Sequence, residues 1–411
     1  MVSESQRPPL YTIPIDQRPP HGPLFSKVFF PLVFNVAQIC INSTHFLALP
    51  LLLIPFGIGR RWFRNVIDYT KDGYGRLIIL ITVLFGPTTF VITSDAPVSN
   101  LVEHDDHGRL IRLVLPDRLV IVGNHQTYLD WMYIWILACY SGNASGIIIL
   151  LKASLKKVPV VGWGMRFFRF IFLERSWAAD KANLTRALQN LAKQARLNTP
   201  DETTGLVRSR REPLWLLIFP EGTITSDEER AKSVRYAKKE GVDDFKTLLH
   251  PRSTGLLFCL RTLLPEIPDL QMLDLTIGYP GVPYGKYPQE WYGLASTFFR
   301  SVPPPTVHIH MHLYSDLASP SGPIPSLHGE SAEIPPSESR DFELWMRKLW
   351  TDKEKRMEGF YRDQHFEGSE ALSVPVRQLK WYHNIAAFGA GGIVSVGAIA
   401  AVAYGIAKVV K

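Results

Sequence analysis

The sequence predicts an α/β domain held between membrane-anchoring helices, and three observations lead to that fold class. Short β-branched apolar runs alternate with stretches of helical periodicity through the middle of the chain, the pattern of a sheet buried on both faces. Apolar segments near the N-terminus and at the C-terminus approach the length of a bilayer crossing. Hydrophobic residues fill 46% of the 411 positions against 20% charged, a high proportion for a soluble enzyme.

The strand-like runs lie at 119–123, 147–151, 170–173, 214–219, 273–279 and 307–313, each rich in Val, Ile or Leu. Helical spacing fills 178–196 and 226–239 between them. The α/β domain is therefore placed at residues 96–317. Residues 318–340 are rich in Ser, Pro and Gly and read as a linker. A docking helix is expected within 341–370, with Trp345, Leu349, Met357 and Phe360 facing the core.

Residues 1–25 are proline-rich, lack periodicity and read as a flexible tail. No basic region followed by a cleavable apolar stretch marks a signal peptide there. Residues 26–95 are expected to hold membrane-embedded helices. The first apolar run, 28–58, carries Asn35, Gln38, Asn42 and His45 and is broken by Pro31, Pro50 and Pro55, so two half-length helices or one broken span fit it. Arg60, Arg61, Trp62 and Arg64 then form an interfacial collar. A second run at 77–92 is split by Gly86 and Pro87. At the other end, 384–408 is expected to be a transmembrane helix, since 385–407 carries no charge.

The formal charge of +7 suits an anionic partner but serves solubility equally well. Cys40, Cys139 and Cys259 sit in apolar runs at spacings that suit neither a disulfide framework nor zinc, and read as buried thiols. The chain has no Gly-x-Ser-x-Gly elbow, phosphate-cradling loop or dinucleotide fingerprint.

The strongest chemical signal follows the run at 119–123: Asn124, His125, Gln126, Thr127, Tyr128, Leu129, Asp130. A histidine at the carboxyl end of a buried strand lies where α/β sheets place their sites. Asp130, five residues on, can return to the imidazole across the first turn of a helix. A carboxylate on one ring nitrogen fixes the tautomer and leaves the other free to take a proton. The plainer reading makes His125 a cap and Asp130 a surface acid. A second signal at an equivalent place favours chemistry: the run at 214–219 ends in Pro220, Glu221, Gly222 and Thr223. Together they set an acid, backbone amides and a hydroxyl at the same sheet edge as the histidine.

These motifs resemble the glycerolipid acyltransferases typified by 1-acylglycerol-3-phosphate acyltransferase. Asn124-His125 through Asp130 is similar to the first block of that family, Phe170 through Arg175 to the second, Phe219 through Thr223 to the third, and 275–280 to the fourth. Two further stretches resemble its lysocardiolipin and lysophosphatidylinositol branch: 151–156 leading to Pro159, Gly162 and Trp163, and the run His250-Pro251-Arg252-Ser253-Thr254-Gly255. The resemblance implies a glycerolipid-acyltransferase-type sheet covered by helices. It also implies direct acyl transfer from acyl-CoA, as co-substrate, to a lysophospholipid hydroxyl, with His125 and Asp130 catalytic and no metal or cofactor. Arg175, Glu221, Gly222, Thr223, Lys152 and Asn124 would bind substrate, Arg175 by clamping the acceptor phosphate. Ile224 stands where many lysophosphatidic-acid enzymes carry arginine, so the resemblance favours an acceptor whose phosphate bears a headgroup, such as lysophosphatidylinositol. Phosphatidic acid formation and CoA-independent transacylation remain open on the motifs alone. The implied setting is a lipid bilayer, that of the endoplasmic reticulum first, with lipid droplet or mitochondrion as alternatives.

Two other readings compete. His308, His310 and His312 alternate along one run and would share a strand face, a spacing suited to a zinc-dependent membrane hydrolase. Arg208, Arg210, Arg211, Lys238 and Lys239 could hold anionic lipid in a non-enzymatic module, though such runs are usually solvated faces. Nucleic acid fits poorly beside the hydrophobic anchors.

Overall fold

Consecutive strand residues point to opposite faces, so a strand without polar positions needs cover on both sides. Arg118–Gly123 and Leu214–Ile218 are such strands, buried at every residue. The computed structural model, which describes residues 8–174, 176–196, 212–328, 334–368 and 370–384, supplies that cover from two helical layers.

In chain order the helices are α1 (Leu24–Ala48), α2 (Ile58–Phe85), α3 (Asp130–Tyr140), α4 (Val161–Phe167), α5 (Trp177–Arg196), α6 (Asp227–Glu240), α7 (Ser253–Leu263) and α8 (Pro336–Asp363). The strands are β1 (Thr89–Ser94), β2 (Val102–His104), β3 (Leu110–Leu113), β4 (Arg118–Gly123), β5 (Ile147–Lys152), β6 (Ile171–Leu173), β7 (Leu214–Ile218), β8 (Gln271–Gly278), β9 (Thr306–Tyr314) and β10 (Ala371–Pro375). Eight of them form one sheet in the order β10-β1-β9-β8-β4-β7-β5-β6. From β8 to β6 every pairing is parallel. β9 runs antiparallel to β8, β1 parallel to β9, and β10 antiparallel to β1. The six expected strands are thus β4 to β9, and the predicted α/β class holds.

One sheet face presents Ile121, Trp215, Ile149 and Leu275 to α2 and α3. The other presents Val120, Leu216, Ile148 and Met272 to α5, α7 and α8. α3 is apolar on all sides after Asp130, as befits a helix with no solvent face. It meets α2 closely at Gly75, where a Cβ would stand 2.5 Å from Cys139 Sγ and 2.8 Å from Trp135 Nε1. α6 follows its sequence signals: the Ser226 side chain caps it, acids fill its first turn, lysines its last, and Gly241 ends it at φ +63°.

Three expectations need correction. Residues 8–23 are not a free tail: two 3₁₀ turns lead to Arg18, whose buried guanidinium donates to the carbonyls of Ile13 (2.8 Å) and Trp291 (2.7 Å) and to the Ser296 hydroxyl. Prolines lower the entropy lost on ordering such a segment, and the arginine supplies its anchor. The segment 26–95 is not wholly an anchor either. Leu77, Ile78, Ile79 and Ile81 lie in the core, and β1 is inserted in the main sheet between β9 and β10. The linker, finally, ends earlier than expected because α8 begins at Pro336, and Ile324 and Leu327 tuck into the second core. The expected helix at 384–408 lies outside the described residues but for Asn384.

What remains of the N-terminal anchor is α1 with the 3₁₀ turn Leu49–Leu53, the one described helical segment long and apolar enough to cross a membrane by length and composition. Its polarity is inside out. Gln38, Asn42, Thr44 and His45 are buried, bonded inward to Tyr74 OH, the Val160 carbonyl and Thr70 among others. Phe25, Val28, Leu32, Val36 and Ile39 are at least half exposed, and beyond the helix Leu53 and Phe56 reach 86% and 94%.

α8 is welded to the sheet by charge as well as packing. Lys353 is fully buried, with Nζ 2.8 Å from Asp274 Oδ1, and donates to the Leu275 carbonyl and the Thr276 hydroxyl. Lys353→Met is expected to cost about 3–5 kcal/mol, because it strands the Asp274 carboxylate. The thermal unfolding midpoint of the purified protein should drop by several degrees, and adding Asp274→Leu should restore most of it. A single variant as stable as the wild type would show that the pair is not buried as described.

Candidate active site

Four parallel strands, β8, β4, β7 and β5, bring their carboxyl ends to one edge, and the residues read from the sequence gather along it. β4 delivers His125, and α3 starts at Asp130 just beyond. The turn between them folds the carboxylate back, so that His125 Nδ1 stands 2.8 Å from Asp130 Oδ2. The same oxygen accepts the backbone N–H groups of Gln126 (2.7 Å) and Thr127 (3.0 Å). Oδ1 accepts the hydroxyls of Thr127 (3.2 Å) and Tyr279. Asp130 is completely buried, while the His125 side chain keeps 17% of its surface exposed. The imidazole stacks on Phe219 with ring centres 4.1 Å apart and planes 13° from parallel. With Nδ1 engaged and the ring clamped, Nε2 is the nitrogen left for a substrate proton.

β7 ends beside it in the Pro220–Thr223 turn. Glu221 is buried, and its two oxygens accept from the backbone N–H groups of His125 (3.3 Å) and Leu249 (3.4 Å). Burial outweighs those long bonds and pushes the carboxyl up to about 8, which favours its neutral form. Gly222 takes a left-handed φ of +74°, which favours glycine there. Thr223 is half-buried behind it.

The remaining predicted residues divide. Lys152 ends β5 and is exposed, two strand spacings or about 10 Å from β4. Asn124, expected to touch substrate, is instead fully buried with both ends of its amide on the backbone of Ile277, at 3.0 and 2.8 Å. It stitches β4 to β8 beneath the site. Arg175 lies outside the described residues, as do Arg208, Arg210 and Arg211. Tyr279 and Thr127 were not singled out in the sequence, although both lie in stretches read there as strand end or motif. Tyr279 closes β8 at the edge where His125 closes β4, which is the signal that points to it.

The model of the acyltransferase family, described simply as "Acyltransferase", matches residues 110–278, a span that contains His125, Asp130, Lys152 and the Pro220–Thr223 turn and ends one residue short of Tyr279. An uncharacterised acyltransferase of Schizosaccharomyces pombe is 30% identical over 351 residues, covering 85% of this chain and 89% of that protein. The chain belongs to the acyltransferase family. The 2-acyl-1-lysophosphatidylinositol acyltransferase of Saccharomyces cerevisiae is similar at 34% identity, over 61% of this chain and 64% of that protein. Lysocardiolipin acyltransferase 1 of Gallus gallus is 30% identical over 82% of this chain and 71% of its own length. No solved structure matches the chain.

Within this acyltransferase the rival features find structural uses. His310 Nε2 and His312 Nδ1 both meet the Asp95 carboxylate, His310 Nδ1 meets the Thr93 hydroxyl, and His308 Nε2 meets Thr306. Burial lowers His308 and His310 to about 4, keeping both neutral. Among the described residues no group of three His, Cys, Asp or Glu is placed to hold a metal ion. Cys139 and Cys259 are buried, which pushes the Cys259 thiol up to about 12 and the Cys139 thiol higher still, so neither supplies a thiolate.

If Asp130 holds the tautomer, Asp130→Asn should lower turnover about 10²- to 10⁴-fold while the protein stays folded by circular dichroism. Tyr279→Phe removes one donor and leaves the carboxylate on His125, so its loss should be clearly smaller. Equal losses would mean that Tyr279 does more than orient the acid.

Proposed function

We propose that the protein is an acyl-CoA-dependent lysophospholipid O-acyltransferase whose acceptor is of the lysophosphatidylinositol type. The observation that carries this reading is the His125–Asp130 pair, oriented and half open at the sheet edge, in a chain related to enzymes named for lysophosphatidylinositol and lysocardiolipin. His125 Nε2 takes the proton from the acceptor's free glycerol hydroxyl as its oxygen attacks the thioester carbonyl. The tetrahedral adduct collapses to the new ester, the carbon–sulfur bond breaks, and the imidazolium returns its proton to the departing thiolate. No acyl-enzyme is needed. Glu221, held between His125 and Leu249, sets the depth of the site, and Lys152 and Arg175 are assigned to the charged parts of the substrates. Ile224, where an arginine would suit a dianionic phosphate monoester, supports an acceptor whose phosphate carries a headgroup.

The inside-out polarity of α1 supports a lipid surface as its partner, because a helix that hides amides and shows phenylalanines has its apolar face toward something other than water. The endoplasmic-reticulum membrane belongs to the same reading.

Labelled acyl-CoA offered to membranes carrying the protein should label lysophosphatidylinositol in preference to lysophosphatidic acid and lysocardiolipin. His125→Ala should reduce that transfer at least about 10²-fold. Equal labelling by wild type and variant would remove His125 from the chemistry.

A nitroxide placed at position 53 or 56 should relax with bilayer-dissolved oxygen, whereas one at Lys238 should relax with a water-borne agent. Water-borne relaxation at all three positions would sink the membrane face.

A further inference from the structure

Three arginines on the helices beside the site are neutralised. Arg230 on α6 pairs with Asp244 at 2.6 Å, Arg261 on α7 with Glu338, and Arg347 on α8 with Glu343 and Glu240. Arg252, which precedes α7, is exposed and has no ion pair or side-chain hydrogen bond among the described residues. Its position is nonetheless fixed. The Arg252 backbone N–H donates to the Pro220 carbonyl at 2.9 Å. Its Nε and Cζ lie 3.7 and 3.8 Å from where a side chain on Gly222 would begin. The guanidinium thus lies against the bare backbone of the turn whose Glu221 touches the His125 N–H.

Nothing on that turn cancels the charge. Glu221 is buried, with its two oxygens committed to the backbone N–H groups of His125 and Leu249, and burial favours its neutral form; Ile224 is 9% exposed and brings no charge. Distance also decides between cations. Lys152 stands two strand spacings from β4, about 10 Å, whereas Arg252 is tied to the end of β7, the neighbouring strand, about 5 Å away. In a lysophospholipid the free hydroxyl and the phosphate sit on one glycerol, only a few bonds apart. An acceptor with its hydroxyl at His125 therefore carries its phosphate toward the nearer cation.

We propose that Arg252 binds the phosphate of the lipid acceptor and so sets its free hydroxyl against His125. This rests on the acyl-transfer reading above. The planar guanidinium offers paired donors to a phosphodiester, and the Gly222 backbone gives it a flat floor.

The test is steady-state kinetics of Arg252→Ala and Arg252→Lys, with acceptor and donor varied separately. A charge-assisted contact of this type is worth about tenfold or more, so the KM for lysophosphatidylinositol should rise at least about tenfold in Arg252→Ala. The KM for acyl-CoA should stay within about twofold, and Arg252→Lys should recover part of the loss. An unchanged acceptor KM overturns the proposal. So does a rise confined to the acyl-CoA KM, which would give Arg252 to the phosphates of the donor. Binding of the lysolipid to His125→Ala protein in nanodiscs, with and without Arg252→Ala, makes the same comparison without turnover. Weaker binding on loss of Arg252 supports the proposal and equal binding overturns it, whatever becomes of the acyl-transfer reading.

Discussion

The Asp130 carboxylate has no exposed surface, and much of the candidate site can be read as the means of keeping it there. A buried carboxylate without partners costs several kcal/mol, enough to protonate it or to open the structure. Here it receives the His125 imidazole, two backbone N–H groups of its own turn, and the hydroxyls of Thr127 and Tyr279. Its place in the first turn of α3 adds the favourable end of the helix dipole. Histidine orientation is thus one consequence of solving a solvation problem. The strand end, the tight turn and the tyrosine of β8 are the others.

A second buried acid extends the same logic away from the dyad. Glu354 on α8 accepts the backbone N–H groups of Lys246, Thr247 and Leu248 and the Thr247 hydroxyl. The next residue, Leu249, donates to Glu221, and the Thr247 carbonyl accepts from the Gln126 side chain. α8 therefore holds the loop that holds the third motif, and Lys353 one residue earlier fastens α8 to β8. Packing and the geometry of the candidate site share these contacts, so they cannot be separated into a scaffold and a site.

Much of this was legible in the sequence where a signal was local. β4 and β7 are uninterrupted apolar runs ending in polar motifs, and both the strands and the edge they share follow from that. β1 was hidden, because the run at 77–92 has the composition of a helix end and of a strand alike, and apolarity without period does not tell them apart. Arg18 looked like a charge in a loose tail, since its acceptors at Trp291 and Ser296 lie far along the chain. Asn124 was misread for the opposite reason: a polar residue inside a functional motif invites a functional role, and only the register of β8 against β4 shows both of its ends engaged. All four residues named on the docking helix meet the second core, Met357 and Phe360 buried and Trp345 and Leu349 packed against it part-buried, while Phe342, Met346 and Trp350 complete the buried stripe. Sequence spacing thus defined both the helix and the side it turns to the core, though not the full width of its buried stripe.

The reach of α8 back to the loop at 246–248 also sets an order of events during synthesis. Glu354 is 107 residues beyond Thr247, and Tyr279 is 149 beyond Asp130. At roughly 5–20 residues per second, the loop waits roughly 5–20 seconds after it is made for the helix that secures it. A nascent chain carrying both leading motifs is therefore still without a finished site, and its apolar N-terminal face emerges long before any chemistry is possible. Such a chain could meet the lipid surface proposed for α1 first and become active there.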